Sequence, residues 1–228
     1  MLQIRYVWEW PVRLTHWINV ISILVLSFTG FYIGNPFISV PETSSYVMGW
    51  MRFIHFAFAY LFALSVLSRI IWFFIGNKYA GWRELFPWAT KEGRNHMIGT
   101  FRYYTFLAKT PPYVVGHNAL AAVAYSVVFS LFIFMCVSGF ALYGQFAPGG
   151  FWDGMLGGLL TSFGNQGLRL WHHIVMWFLL AFGIHHVYSA WLMEIKEKNG
   201  TMASIYSGYK FVEPDDIGYD EDERKHHR

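Results

Sequence analysis

The sequence holds a single cysteine, Cys136, and it sits inside an apolar run. That excludes a disulfide framework, an iron–sulfur ligand set and a Cys-x-x-Cys-His site for covalent haem. Charge is equally scarce: Asp, Glu, Lys and Arg make up 14% of 228 residues, against roughly a quarter in an ordinary soluble domain. A large soluble catalytic domain is excluded by that deficit. The net charge of +3 is small and unclustered, so a nucleic-acid partner is excluded too. Any metal chemistry has to lean on histidine, of which there are ten.

What the chain has instead is long apolar stretches. A helix rises 1.5 Å per residue and a hydrocarbon core is about 30 Å thick. Four segments meet that length, at about 14–33, 51–75, 119–143 and 170–193. The sequence therefore predicts an all-α integral membrane protein, a four-transmembrane-helix bundle forming one domain over 1–210. Residues 211–228 follow as an acidic tail, read as disordered and cytoplasmic because 213–223 carries seven acids and no lysine or arginine.

Lysine and arginine set the expected orientation. Residues 76–118 contain six, Lys78, Arg83, Lys91, Arg94, Arg102 and Lys109, whereas 34–50 and 144–168 contain none. The positive-inside rule then puts 76–118 and both termini in the cytoplasm and the first span running outward. The first apolar stretch is too long for a signal-peptide core and lacks a small-residue cleavage site, so it is expected to remain as a helix. The glycine-rich outer connection 144–168 reads either as a flexible surface loop or as a docking surface for an external partner. Residues 83–109 mix Trp88, Phe101, Tyr103, Tyr104 and Phe106 with basic groups, as an interfacial helix does.

Six histidines fall in the spans: His16, His55, His172, His173, His185 and His186. Ionisable rings in hydrocarbon are costly, so each is a functional candidate or a packed, hydrogen-bonded residue. Spacing separates the two. His172 and His186 lie 14 apart, which is about 21 Å of rise and about 1400° of rotation, close to four turns. They share one face at two depths. With the alternating directions of the spans, His16 reaches the depth of His186 and His55 that of His172. Each level then offers two imidazoles on different helices, an arrangement suited to two haem groups with bis-histidine axial ligation. His16 pairs with His186 on the inner side and His55 with His172 on the outer. Zinc and di-iron sites compete, but the spans supply neither a third close ligand nor a Glu-x-x-His pair.

His173 and His185 point about 100° away from these positions and read as facing a helix, a propionate or a headgroup. Arg69 follows His55 by the same 14 residues and is expected at the inner level. Arg69, and Arg52 and Arg169 at the outer level, either pair with haem propionates or snorkel to lipid headgroups. Gly30, Gly139 and Gly183 admit either a flat macrocycle or close helix packing.

The motif Arg13-Leu14-Thr15-His16-Trp17, continuing to Phe28-Thr29-Gly30, and the motif Trp171-His172-His173 with Trp177, Phe182 and His186 resemble the cytochrome b subunit of membrane-bound nickel–iron hydrogenases, within the superfamily of formate dehydrogenase gamma subunits. Gly76-Asn77-Lys78-Tyr79, Arg83-Glu84-Leu85-Phe86, Leu107-Ala108-Lys109 and Gly116-His117-Asn118 are similar to further segments of that family, so the resemblance runs from Val7 to Tyr209. Leu170 departs from a usual small residue, and Ala119 and Ala121 from a usual proline and glutamine.

The resemblance implies a multi-pass protein of the bacterial inner membrane carrying haem b, with His16, His55, His172 and His186 as iron ligands. It implies an electron-transfer subunit with no hydrogen chemistry of its own, taking electrons from a periplasmic hydrogenase small subunit, and through it from the large subunit, and delivering them to quinone. Gly116, His117 and Asn118 are the implied quinone contacts. The alternatives are the gamma subunit of a formate dehydrogenase or related oxidoreductase and, in a different class, a transporter or structural anchor without haem.

Overall fold

The structure is a computed structural model that describes residues 3–37, 46–109 and 119–212. In chain order the elements are β1 (Gln3–Tyr6), α1 (Trp10–Gly34), α2 (Val47–Ile75), α3 (Trp82–Leu85), a 3-10 turn (Pro87–Ala89), α4 (Lys91–Tyr104), α5 (Ala119–Gly144), α6 (Phe151–Phe163), α7 (Asn165–Glu197), α8 (Thr201–Ser207) and β2 (Tyr209–Val212).

Four helices, α1, α2, α5 and α7, are long and apolar enough to cross a membrane. They form as helices because a backbone in hydrocarbon must satisfy its N–H and C=O groups internally. Their few hydroxyls obey the same demand. Thr29 donates to the Val25 carbonyl, Ser68 to Leu64, Ser126 to Ala122 and Ser138 to Phe134, each four residues back in its own helix. Large apolar side chains such as Leu24, Phe28, Phe74 and Ile184 point outward, as lipid-facing positions require.

The described residues fall into two compact units, one within 1–13, 69–128 and 185–228, the other within 14–68 and 129–184. In the first, β1 and β2 pair antiparallel with Gln3 opposite Val212 and Tyr6 opposite Tyr209. The pairing ends at Gly208, whose φ of +90° no side chain adopts easily and whose carbonyl accepts from Val7 and Trp8 N–H. Val7, Trp8, Val12 and Ala80 make a small core against Trp72 and Tyr79. Glu9 fastens its edge by accepting from Trp72 Nε1 and Asn77 N, both at 2.8 Å. Burial pushes Lys210 of β2 below the usual lysine range, and Glu197 and Glu194 oppose that shift. Thr90 caps α4 by accepting from Gly93 N at 3.0 Å.

The second unit holds the middle stretches of the long helices and all of α6. The glycine-rich stretch 144–168 is thus largely helical. Tertiary packing supplies what its glycines withhold. Trp152 stacks on Phe140 of α5 at 4.1 Å and 10°, and its Nε1 donates to Tyr60 Oη of α2 at 2.7 Å. No residue of α6 is buried.

Candidate functional site

The second unit contains a cavity of about 210 Å³ between α1, α2, α5 and α7. His55 reaches it from α2 and His172 from α7, both rings half-buried. The remaining wall is mostly apolar, with Phe56, Phe140, Met176 and Leu179 among its members. Its polar contributors include Arg52, Arg169 and His173.

Each of the two rings is held by a hydroxyl on the neighbouring helix. Thr29 Oγ1 lies 2.9 Å from His55 Nδ1, and Ser138 Oγ lies 2.7 Å from His172 Nδ1. A hydroxyl has one proton to give. Thr29 spends it on the Val25 carbonyl and Ser138 on the Phe134 carbonyl, both at 2.7 Å. At the imidazoles both oxygens therefore accept, and Nδ1 must carry the hydrogen. The lone pair is left on Nε2 of each ring, the nitrogen suited to bind a metal.

A glycine follows each hydroxyl residue. A Cβ on Gly30 would stand 3.3 Å from His55 Cε1, and one on Gly139 would stand 3.3 Å from His172 Cε1. The pairs Thr29-Gly30 and Ser138-Gly139 thus form matching cradles, a hydroxyl against Nδ1 and a bare backbone beside the adjoining Cε1. Gly183 differs, since among the described residues nothing beyond its own helix backbone and chain neighbours lies within 4 Å of a Cβ built there.

His173 lines the same cavity as its neighbour. Its Nδ1 donates to the Arg169 carbonyl at 2.9 Å, and its Nε2 would lie 3.0 Å from a Cβ on Gly34. The sequence reading turned this ring away from the His172 face; the cavity is broad enough to meet both directions. Among the arginines, the Arg52 guanidinium lies 5.4 Å from the Phe146 ring, and Arg169 Nε donates to Asn165 Oδ1 at 2.8 Å. Arg69 belongs to the first unit, where Nη1 donates to the Ala80 carbonyl at 3.1 Å and the guanidinium lies 4.3 Å from the Phe73 ring.

His16 and His186 belong to different units. The His16 ring meets Trp17 edge-on at 5.2 Å. His186 Nδ1 is 3.4 Å from Tyr125 Oη, at the long edge of hydrogen bonding, with ring centroids 5.7 Å apart. One and two turns beyond His16 on α1, Asn19 Oδ1 and Ser22 Oγ are buried and have no hydrogen-bond partner among the described residues. Gly116, His117 and Asn118 lie outside the described residues.

Sequence reasoning missed Thr29 and Ser138 as ring partners. Their signal was available, because a hydroxyl residue directly before glycine occurs in two apolar spans and the two glycines were already candidates.

A family model for prokaryotic cytochrome b561 matches residues 7–208. Among relatives, a probable Ni/Fe-hydrogenase B-type cytochrome subunit of Cupriavidus necator is 41% identical over 216 residues, covering 92% of this chain and 88% of that protein. One of Azotobacter vinelandii is 38% identical over 217 residues, covering 92% and 90%. A probable Ni/Fe-hydrogenase 1 B-type cytochrome subunit of Escherichia coli is 36% identical over 216 residues, covering 90% of each chain.

Proposed function

We propose, from the premise that the chain belongs to the prokaryotic cytochrome b561 family, that it is the haem b subunit of a membrane-bound nickel–iron hydrogenase and carries electrons from the hydrogenase small subunit to quinone. It is a multi-pass protein of the bacterial inner membrane.

The observation that carries the reading is the cavity walled by His55 and His172, each with Nδ1 tied to a hydroxyl and Nε2 left as the acceptor. That donor set fits haem b: two neutral imidazoles on facing helices, glycines where a Cβ would crowd the rings, and a largely apolar wall. Haem b held there supplies one-electron chemistry. His55 and His172 would hold its iron, and Arg52 and Arg169 would neutralise its propionates. The apolar wall excludes water. His16 and His186 would hold a second haem, a role resting on the 14-residue spacing in the sequence alone, with Arg69 as a candidate propionate partner. Gly116, His117 and Asn118 contact quinone, His117 as the proton-relaying group. The distribution of lysine and arginine supports cytoplasmic termini.

Purification of the chain with its native partners tests the reading. A reduced-minus-oxidised spectrum and pyridine haemochrome of b type, with a nickel-containing protein pair in the same fraction, are expected. A missing b-type signal would overturn the haem assignment. A molybdenum or tungsten protein in place of the nickel pair would overturn the hydrogenase partner in favour of a formate dehydrogenase.

The quinone contact has its own test. His117→Ala is expected to slow quinone reduction about 100-fold, the low end for a lost proton-transfer group, at unchanged haem content. An unchanged rate would remove His117 from the site.

A further inference from the structure

Two histidines on different helices are held by the same three-part device, although no sequence repeat links them. In α1, Thr29 bonds back to Val25, receives His55 Nδ1–H and is followed by Gly30. In α5, Ser138 bonds back to Phe134, receives His172 Nδ1–H and is followed by Gly139. The contacts bridge 26 and 34 residues of sequence, so each is a choice made by packing. We propose that Ser138 and Thr29 are positioning residues that set the reduction potential and electronic structure of the haem held by His172 and His55, with Ser138 the stronger of the two. This rests on the ligand assignment made above.

The physical basis is the committed proton. A free hydroxyl can turn and donate to whatever nitrogen it meets, which would let the ring present either tautomer. A hydroxyl whose proton is held by a helix carbonyl cannot do so, and it fixes Nδ1 as the donor. Accepting Nδ1–H also draws the imidazole toward imidazolate and makes Nε2 a stronger donor to iron, which favours the ferric state. Loss of the acceptor therefore raises the potential.

The two sides are unequal for reasons of local geometry. The Ser138 bond is the shorter, 2.7 Å against 2.9 Å. Removing Ser138 Oγ therefore takes away the closer of the two hydroxyl contacts.

The experiment is a redox titration and low-temperature EPR spectrum of the purified holoprotein carrying Ser138→Ala, Ser138→Thr, Thr29→Val or Thr29→Ser. Ser138→Ala is expected to move the midpoint potential positive, to shift the largest ferric g value and to weaken haem affinity roughly 10–100-fold. Ser138→Thr keeps a back-bonded hydroxyl and is expected to restore the original values. Thr29→Val should produce a smaller shift of the same sign, and Thr29→Ser none. Unaltered potential and g values in Ser138→Ala with haem bound would overturn the proposal while leaving the ligand assignment standing. Unaltered haem content in His172→Ala would overturn the ligand assignment itself. Should Ser138→Ala lose its haem, Ser138→Cys replaces the hydroxyl with a weaker acceptor of similar size; an unshifted potential in that variant would equally overturn the proposal.

Discussion

Replacing His172 with alanine is expected to leave the protein one haem short of the unaltered chain and to stop electron delivery to quinone. Partners that only orient a metal ligand are worth roughly 10–100-fold in affinity, so deletion of the ligand itself should cost more than about 100-fold by the same measure. The fold should survive the change. Ser138, left without its ring partner, still donates to the Phe134 carbonyl, so no buried hydroxyl proton is stranded. His55→Ala is expected to behave the same way, because Thr29 retains its bond to Val25. His173→Ala is the informative control: its ring lines the same cavity, but its Nδ1 bond closes on Arg169 of its own helix. Haem content per chain by pyridine haemochrome, with circular dichroism to confirm helix content, decides the matter. Equal haem loss in His173→Ala would move the ligand assignment to that residue.

The second large effect is expected at Gly139. A methyl group there would already press on His172 Cε1 at 3.3 Å, so Gly139→Ala requires the ring to yield by a few tenths of an ångström. Gly139→Leu adds a branched side chain beside the ring, where it competes with any flat group for the same space. Overpacking of this kind costs about 1–3 kcal/mol in a well-packed interior, and here a ring that must stay aligned is the neighbour that moves. The expected series is a displaced haem spectrum in Gly139→Ala and loss of that haem in Gly139→Leu, with helix content maintained. Gly183→Leu provides the contrast, since among the described residues nothing beyond its own helix backbone and chain neighbours stands within 4 Å of a Cβ at that position. Haem content and the ferric EPR spectrum of the three variants separate steric exclusion at the ring from a general cost of glycine replacement. A Gly139→Leu protein with a full complement of unaltered haem would show that the backbone beside His172 is not needed for access.

Particular residues show how far local rules reach. The four long helices followed from the scarcity of charge, and they extend a few residues beyond the expected spans: α7 begins at Asn165 rather than near 170, and α2 at Val47 rather than 51. At the α7 end Asn165, Gln166 and Arg169 lower a hydropathy average without breaking the helix. The stretch 144–168 was harder to read, because its glycines disfavour a helix and tertiary contacts such as the stacking of Trp152 on Phe140 and its bond to Tyr60 hold α6 in place. Arg69 illustrates a different gap. Helical periodicity places its Cα, but a long flexible side chain selects among partners, and the Ala80 carbonyl and Phe73 ring engage it within the first unit.

Composition and periodicity alone determined that this chain is a membrane-embedded helical protein, because both depend on lipid solvation and on a helical repeat of 3.6 residues. Tertiary structure alone decided that His173 shares the cavity of His172, that hydroxyls of α1 and α5 hold the His55 and His172 rings, and that Gly30 and Gly139 leave those rings room. Each of these is a contact between helices far apart in sequence or a matter of cavity width, and no periodicity within one helix contains the position of its neighbour.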